Sequence, residues 1–337
     1  MTDSAVYIHA LGHYHPETVV DNAFFEELDI GSDSAWVVER TGIQARRSVL
    51  HKDDIRSLRS GEKTLNQLRD EGRVMTIASM SEPAWAVLRE RYPELNPAAI
   101  DAVICGTSIP DFDIPANAST IAAKLGLSCL SFDANSACSS FVLNLHLARN
   151  LIRSGAHKKV AVFNPERYSL RMNFTDRNSC ILFGDGCSAA IVSGQPKPGS
   201  LKVIDTVIVS DPSGYDLVKI PDGECFSQNG KAVQKFAISK TLEATHSILE
   251  RNGLTAKDIT YFTGHQANLR MVTSAAERLG FSDNQHLHNV EALGNQGAAG
   301  APSVLSMHWD RFKSGDKIVL AVVGSGLTWG SALLQKI

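Results

Sequence analysis

At 337 residues with 43% hydrophobic side chains, the chain is long enough for one large domain or two moderate ones and can fill a core. Its net charge of −3, from 33 basic and 36 acidic residues, gives no polybasic reason to expect nucleic acid or an anionic membrane as partner. No stretch reaches the roughly 18 unbroken apolar residues of a membrane span, and no basic leader with a long apolar core opens the chain, so a cytoplasmic protein is expected.

The first chemical signals are weak. His13 and His15 form an HxH pair, as His286 and His288 do later; neither pair has the nearby cysteine or carboxylate that completes a metal set, so polar histidines and no metal are expected. Six cysteines (Cys105, Cys129, Cys138, Cys180, Cys187 and Cys225) include no CxxC pair, which points to reduced thiols rather than disulfides or zinc. Residues 50–75 are polar and mixed in charge, with one helical pattern around Leu65 and Leu68.

From residue 96 the chain alternates strands and helices. NPAAIDAVICGTS (96–108) is a helix end followed by a short apolar strand, and STIAAKLGLS (119–128) an Ala-rich helix ending at Leu-Gly. DANSACSSFVLNLHLARNL (133–151) passes from small residues into an apolar helix, which LIRSGAHKKVAVF (151–163) ends at Ser-Gly before a buried strand. SCILFGDGCSAAIVS (179–193) reads as strand, Gly-Asp-Gly turn and strand. SGQPKPGS (193–200), with two prolines and two glycines, is the candidate linker.

The pattern then returns. TAKDITYFTGHQA (255–267) matches 96–108, TSAAERLGFS (273–282) matches 119–128, and RFKSGDKIVLAVV (311–323) matches 151–163. The Leu-Gly pair recurs 154 residues on and the Ser-Gly pair 160 residues on, close to half the chain. A duplicated α/β unit is expected, with halves at 1–195 and 196–337 and small-residue helices buried between sheets. At the larger offset Cys138 corresponds to Ala298, so one half alone carries the thiol.

A thiol at a helix mouth faces unpaired N–H groups and the positive end of the dipole, which favour thiolate. A nucleophile also needs a proton handler and carbonyl-oxygen donors. His265 lies just past an apolar strand, where open α/β sheets carry functional groups; Asn295 precedes the second small-residue helix; and the glycine turn of AVVGSGLTWGSALL (321–334) offers the backbone N–H of Ser325 or Gly326.

Six ordered stretches (34–47, the Cys138 segment, 175–192, 264–271, 294–300 and 324–333) resemble the thiolase superfamily, in particular its β-ketoacyl-[acyl-carrier-protein] synthase III branch, almost from end to end. The resemblance implies a thiolase-like, duplicated five-layer α-β-α-β-α fold in a homodimer, with no covalently bound cofactor. Cys138 would accept an acyl group from acyl-coenzyme A. His265 and Asn295 would bind the carbonyl of a malonyl thioester on acyl carrier protein during decarboxylative condensation, with Cys138 and Ser325 backbone amides as the oxyanion hole. Trp36 and Arg177 would stack on adenine, Arg40 would meet phosphate, Thr41 and Asn268 would line the phosphopantetheine arm, and Lys235 and Arg270 would face the carrier protein.

Some features depart from the family pattern. The 50–75 stretch is an excess segment, expected near the tunnel mouth or as surface decoration. Ser139 and Ser140 follow the nucleophile where Ala-Gly is usual, and Ser325 interrupts a glycine run. Residues 107–119 are expected to contribute to the acyl pocket, within one chain or across a dimer interface. Both fatty-acid initiation and a specialised pathway are compatible. The rival readings are an acyltransferase or non-decarboxylative condensing enzyme using another nucleophile, a papain-like hydrolase, for which the CGxCW context and the duplication are wrong, and a non-catalytic subunit.

Overall fold

The computed structural model describes residues 5–337. In chain order its strands are β1 (Val6–Tyr14), β2 (Thr18–Asp21), β3 (Ala45–Ser48), β4 (Ala102–Cys105), β5 (Leu130–Asp133), β6 (Lys159–Glu166) and β7 (Gly186–Ser193). They continue as β8 (Leu201–Ser210), β9 (Val218–Lys219), β10 (Ser227–Gln228), β11 (Tyr261–Gly264), β12 (Lys317–Gly324) and β13 (Thr328–Lys336). The helices are α1 (Asn22–Glu27), α2 (Ser34–Thr41), α3 (Lys52–Ser60), α4 (Leu65–Asp70), α5 (Ile77–Arg91), α6 (Asn117–Lys124) and α7 (Ser140–Arg153). After them come α8 (Gly230–Arg251), α9 (Leu269–Leu279), α10 (Val290–Leu293) and α11 (Gly300–Met307).

The repeat read from the sequence is visible in the strand order β11-β12-β13-β8-β1-β7-β6-β4-β5. On one side of the β1/β8 junction, β4 and β6 run parallel and β7 returns antiparallel between β6 and β1. On the other side, β11 and β12 run parallel and β13 returns antiparallel between β12 and β8. The equivalent of β5 shrinks to a single parallel bridge between Phe262 and His286. Gly126 and Gly280, just past α6 and α9, both take left-handed backbone with φ of 67° and 80°, the helix stop that each Leu-Gly signalled.

Packing turns this topology into layers. Phe141, Val142 and Leu145 of α7 and Ala301, Val304 and Leu305 of α11 share one apolar core with strands from both sides of the junction, including β4, β6, β12 and β13. Helices α1, α5 and α6 cover the outer face of β4, β6 and β7, while α8 and α9 cover that of β11 to β13. The order is therefore helix, sheet, helix, sheet, helix: the thiolase-like five-layer α/β fold. The middle helices are rich in Ala, Ser and Gly because they are enclosed on two faces; Gly300 through Ser306 are all buried.

One local expectation fails. Residues 179–193 hold one strand rather than a hairpin: Ser179–Leu182 form turns, and only β7 from Gly186 is extended. Their carbonyls and amides are used by the second half instead, as described below. The excess segment folds as α3 and α4, with Ile55 and Leu68 buried in the first-half core and the fully buried Asp54 paired with Arg73 at 2.6 Å. No described helix is long and apolar enough to cross a membrane.

Candidate active site

Cys138 sits at the end of a tight turn, not inside the helix that follows it. Ala137 takes a φ of +50°, uncommon for a residue with a Cβ, and α7 begins only at Ser140, with Ser139 as its N-cap. The turn is held by Ser140, whose hydroxyl donates to the Ala137 carbonyl at 2.6 Å and accepts the Ser136 N–H at 2.9 Å. Gly324, at the end of β12, lies against this turn: a Cβ there would fall 2.5 Å from the Ser136 carbonyl oxygen. Thus the glycine turn that carries Ser325 and the turn that carries Cys138 meet backbone to backbone.

The second half brings its groups to the same place. His265 follows β11, its N–H donating to the Ala321 carbonyl at 2.8 Å. Asn295 is clamped into the first half: its N–H donates to the Leu182 carbonyl at 2.9 Å, and its carbonyl accepts the Gly184 N–H at 3.0 Å. Gly297 N–H donates to Asn295 Oδ1 at 3.0 Å, which fixes the amide and leaves Nδ2 as the free-pointing donor end. A cavity of about 380 Å³ is lined by Cys138, His265, Asn295 and Ser325 together, and extends past Arg40, Thr41 and Asn268.

Burial sets the charges here. It pushes the His265 imidazole down to about 4, so the ring is neutral near pH 7 and presents one N–H donor. For Cys138 the outcome reverses the sequence expectation. Desolvation, then the neighbouring Glu166 carboxylate, push the thiol up to about 12, because the sulfur precedes the helix by two residues and faces a buried acid. Glu166 is itself pushed up to about 8 by burial, against hydrogen bonds from Ser108 and Ala298.

Residues 132–212 match the family described as 3-oxoacyl-[acyl-carrier-protein] synthase III, and residues 249–336 match its C-terminal part. A β-ketoacyl-[acyl-carrier-protein] synthase III of Aliarcobacter butzleri is 34% identical, over 97% of this chain and 96% of that protein. The chain belongs to the β-ketoacyl-[acyl-carrier-protein] synthase III family. Synthase III of Aquifex aeolicus has a similar crystal structure (TM-score 0.86, 28% identity, 98% of this chain and 99% of that one). So has the priming β-ketosynthase of the R1128 polyketide pathway (TM-score 0.82, 27% identity, 98% and 96%). Like other synthases III it is an acyltransferase, a condensing enzyme of fatty-acid or secondary-metabolite assembly.

The other residues expected along the substrate path fall into two groups. Arg40, Thr41 and Asn268 line the cavity; Asn268 caps α9 by accepting the Met271 N–H at 3.0 Å, and buried Thr41 donates to the Val37 carbonyl at 2.7 Å. Half-buried Trp36 and exposed Arg177 lie outside it, and Trp36 carries the guanidinium of Arg177 at 5.0 Å and that of Arg40 at 5.5 Å from its ring centre. Lys235 on α8 and Arg270 on α9 are exposed. Of residues 107–119 Ser108 alone lines the cavity, while Phe112 and Ile114 are exposed. None of residues 50–75 lines it.

Sequence reasoning reached Ser108 only as part of 107–119 and missed Glu166 and Tyr168. Tyr168 lines the cavity, stacks on Phe183 with ring centres 4.5 Å apart and brings its hydroxyl to 3.7 Å from the Cys138 sulfur. One signal was available. NPERYSL (164–170) puts a Glu-Arg pair just after the apolar run VAVF (160–163), and buried charges require a structural or chemical reason.

Proposed function

We propose that this synthase III uses Cys138 as its nucleophile, loaded from an acyl-coenzyme A. The sulfur attacks the thioester carbonyl, a C–S bond forms, and the oxyanion is held by the backbone N–H groups of Cys138 and Ser325 until coenzyme A leaves as a thiolate. A malonyl group on acyl carrier protein then enters. Its C–C bond to the carboxylate breaks and carbon dioxide departs. The electron pair moves to the thioester oxygen, which His265 and the Asn295 amide stabilise as donors. The resulting carbanion attacks the acyl-cysteine, and Cys138 leaves.

The observation that supports this reading best is the meeting of Cys138, His265, Asn295 and Ser325 on one cavity, where burial favours the neutral form of His265. Two uncharged donors in a desolvated site stabilise an enolate without protonating its carbon, whereas an imidazolium would offer a proton to it. Arg40, Thr41, Asn268, Trp36 and Arg177 are assigned to the coenzyme A and phosphopantetheine path, and Lys235 and Arg270 to the acidic carrier. Residues 1–195 and 196–337 are assigned as the duplicated halves, and the protein as a cytoplasmic homodimer without a covalently bound cofactor.

The test uses purified protein, a panel of acyl-coenzyme A donors and intact mass. An acyl adduct absent from Cys138→Ala, and discharged by malonyl-carrier protein with release of carbon dioxide, is the expected result. An adduct that malonyl groups do not discharge assigns the acyl group to another nucleophile instead, and no adduct from any donor refutes acyl-coenzyme A priming.

A further inference from the structure

The condensation leaves unexplained how a thiol held so high in the pH scale becomes a nucleophile. Beside it runs a row of hydrogen bonds. The Cys138 sulfur is 3.7 Å from the Tyr168 hydroxyl, which donates to Ser108 Oγ at 2.9 Å, which donates to Glu166 Oε1 at 3.2 Å. Because the tyrosine hydrogen is used on Ser108, its oxygen is left to accept the weak S–H. The far end is fixed by backbone: Ser108 N–H and Ala298 N–H donate to the Glu166 carboxylate at 2.9 and 3.2 Å. The ring is held too, by its stack on Phe183 and by Gly297, where a Cβ would lie 2.5 Å from Tyr168 Cε2.

We propose that Tyr168 is a further catalytic residue, the proton partner of Cys138, with Ser108 and Glu166 as positioning residues that let the row reverse. The inference rests on Cys138 as the nucleophile. The Sγ–H bond breaks as the proton passes to Tyr168 Oη, the tyrosine proton to Ser108 Oγ, and the serine proton to Glu166 Oε1. Nothing else is consumed. In the reversed row protonated Glu166 donates to Ser108, Ser108 to Tyr168 and Tyr168 to the thiolate, so that the thiolate gains a donor and the buried site keeps one negative charge instead of two. When condensation expels Cys138 as a thiolate, the same three transfers run backwards.

The titratable groups facing the sulfur are Tyr168 beside it, Glu166 behind Ser108 and neutral His265 on the shared cavity wall, with Arg40 and Lys219 the cations that line the cavity. Burial raises the affinity of Glu166 for a proton, to about 8, so the carboxylate form that takes up the serine proton prevails above that pH.

Tyr168→Phe retains the ring and its stack and removes only the hydroxyl. The readout is iodoacetamide alkylation of the Cys138 peptide, followed by mass spectrometry from about pH 6 to about pH 10, where the thiolate displaces iodide and forms a C–S bond. The expected result is alkylation about tenfold slower at fixed pH in Tyr168→Phe, with the profile displaced upward by about one unit, as loss of a hydrogen bond to a charged group gives. Ser108→Ala is expected to move the same way by less, and carries the test alone if Tyr168→Phe does not fold. Superimposable profiles, or a downward displacement, overturn the proposal. Alkylation needs no acyl donor, so failure of acyl-coenzyme A priming and failure of the Tyr168 assignment are read separately.

Discussion

The turn before α7 and the turn before α11 are the same feature of the repeat put to different uses. In the first half a strained Ala137 lifts the Cys138 sulfur into the cavity. In the second, the position of the thiol is taken by Ala298, whose N–H donates to Glu166, while Asn295 three residues earlier reaches the cavity. Duplication supplied two equivalent approaches to one cavity, and in the reaction proposed above one of them supplies the electrons and the other hydrogen-bond donors. Glu166 joins them, since it holds the second turn through Ala298 and reaches the first through Ser108 and Tyr168.

The sharpest way to separate the two uses is to remove the donors and keep the nucleophile. His265→Ala or Asn295→Ala is expected to leave acylation of Cys138 intact while condensation falls roughly a hundredfold to a thousandfold, the usual loss for one oxyanion donor. Intact mass and carbon dioxide release read the two steps apart, and equal losses in both would merge the roles distinguished here. Gly297→Ala probes the junction itself. The residue has a φ of +53°, and its Cβ would meet both Tyr168 and Glu166 Oε1, the latter at 2.9 Å. A loss of about 1 to 3 kcal/mol of stability is expected from strain and overpacking, measurable by denaturant unfolding; an unchanged midpoint would mean that the turns are not tightly coupled.

The smallest effect is on stability against pH, and the two regions pull in opposite directions. His265 is held down at about 4, so its contribution is complete above its unfolded value near 6.5 and is lost as pH falls toward 4. Glu166 is held up at about 8; its contribution is complete below about 4.5 and is lost as pH rises toward 8. His13, His15 and His286 share the sign of His265, whereas Asp185 joins Glu166. The expected net result is a melting temperature that falls between pH 7 and pH 5. A rise on acidification through that window would give the carboxyls the larger share.

Much of this was legible in the chain because the signals are local. Gly126 and Gly280 end equivalent helices, β4 and β11 lie where two matching apolar runs predicted them, and Cys138, His265 and Asn295 fall on one cavity. What escaped was set by neighbours far apart in sequence. Ser108 follows β4 and Glu166 ends β6; they meet because those strands run side by side with Cys105 opposite Phe163, a pairing that no short stretch encodes. The hairpin expected at 179–193 failed for a related reason, since Leu182 and Gly184 make their hydrogen bonds to Asn295 rather than to a local partner. Cys138 lies just before the helix, where the sequence put it, but the expected lowering of its pKa is reversed, because a helix dipole can be read from the sequence and a buried carboxyl behind a tyrosine cannot.

The β1/β8 junction carries a mechanical consequence. Among the described residues three pairs, Val6 to Ile8 against Leu201 to Val203, join the strands on either side of this junction. The interdigitated side chains of α7 and α11 hold them more broadly. Sliding along that seam would carry His265 away from Cys138, and a displacement of about 1 Å is enough to cost a reaction of this kind a hundredfold. The stiffness of a close-packed interior is thus what keeps the two reacting centres in register, and a cavity cut at Phe141 or Leu305, remote from the chemistry, would be felt as lost alignment before it was felt as lost fold.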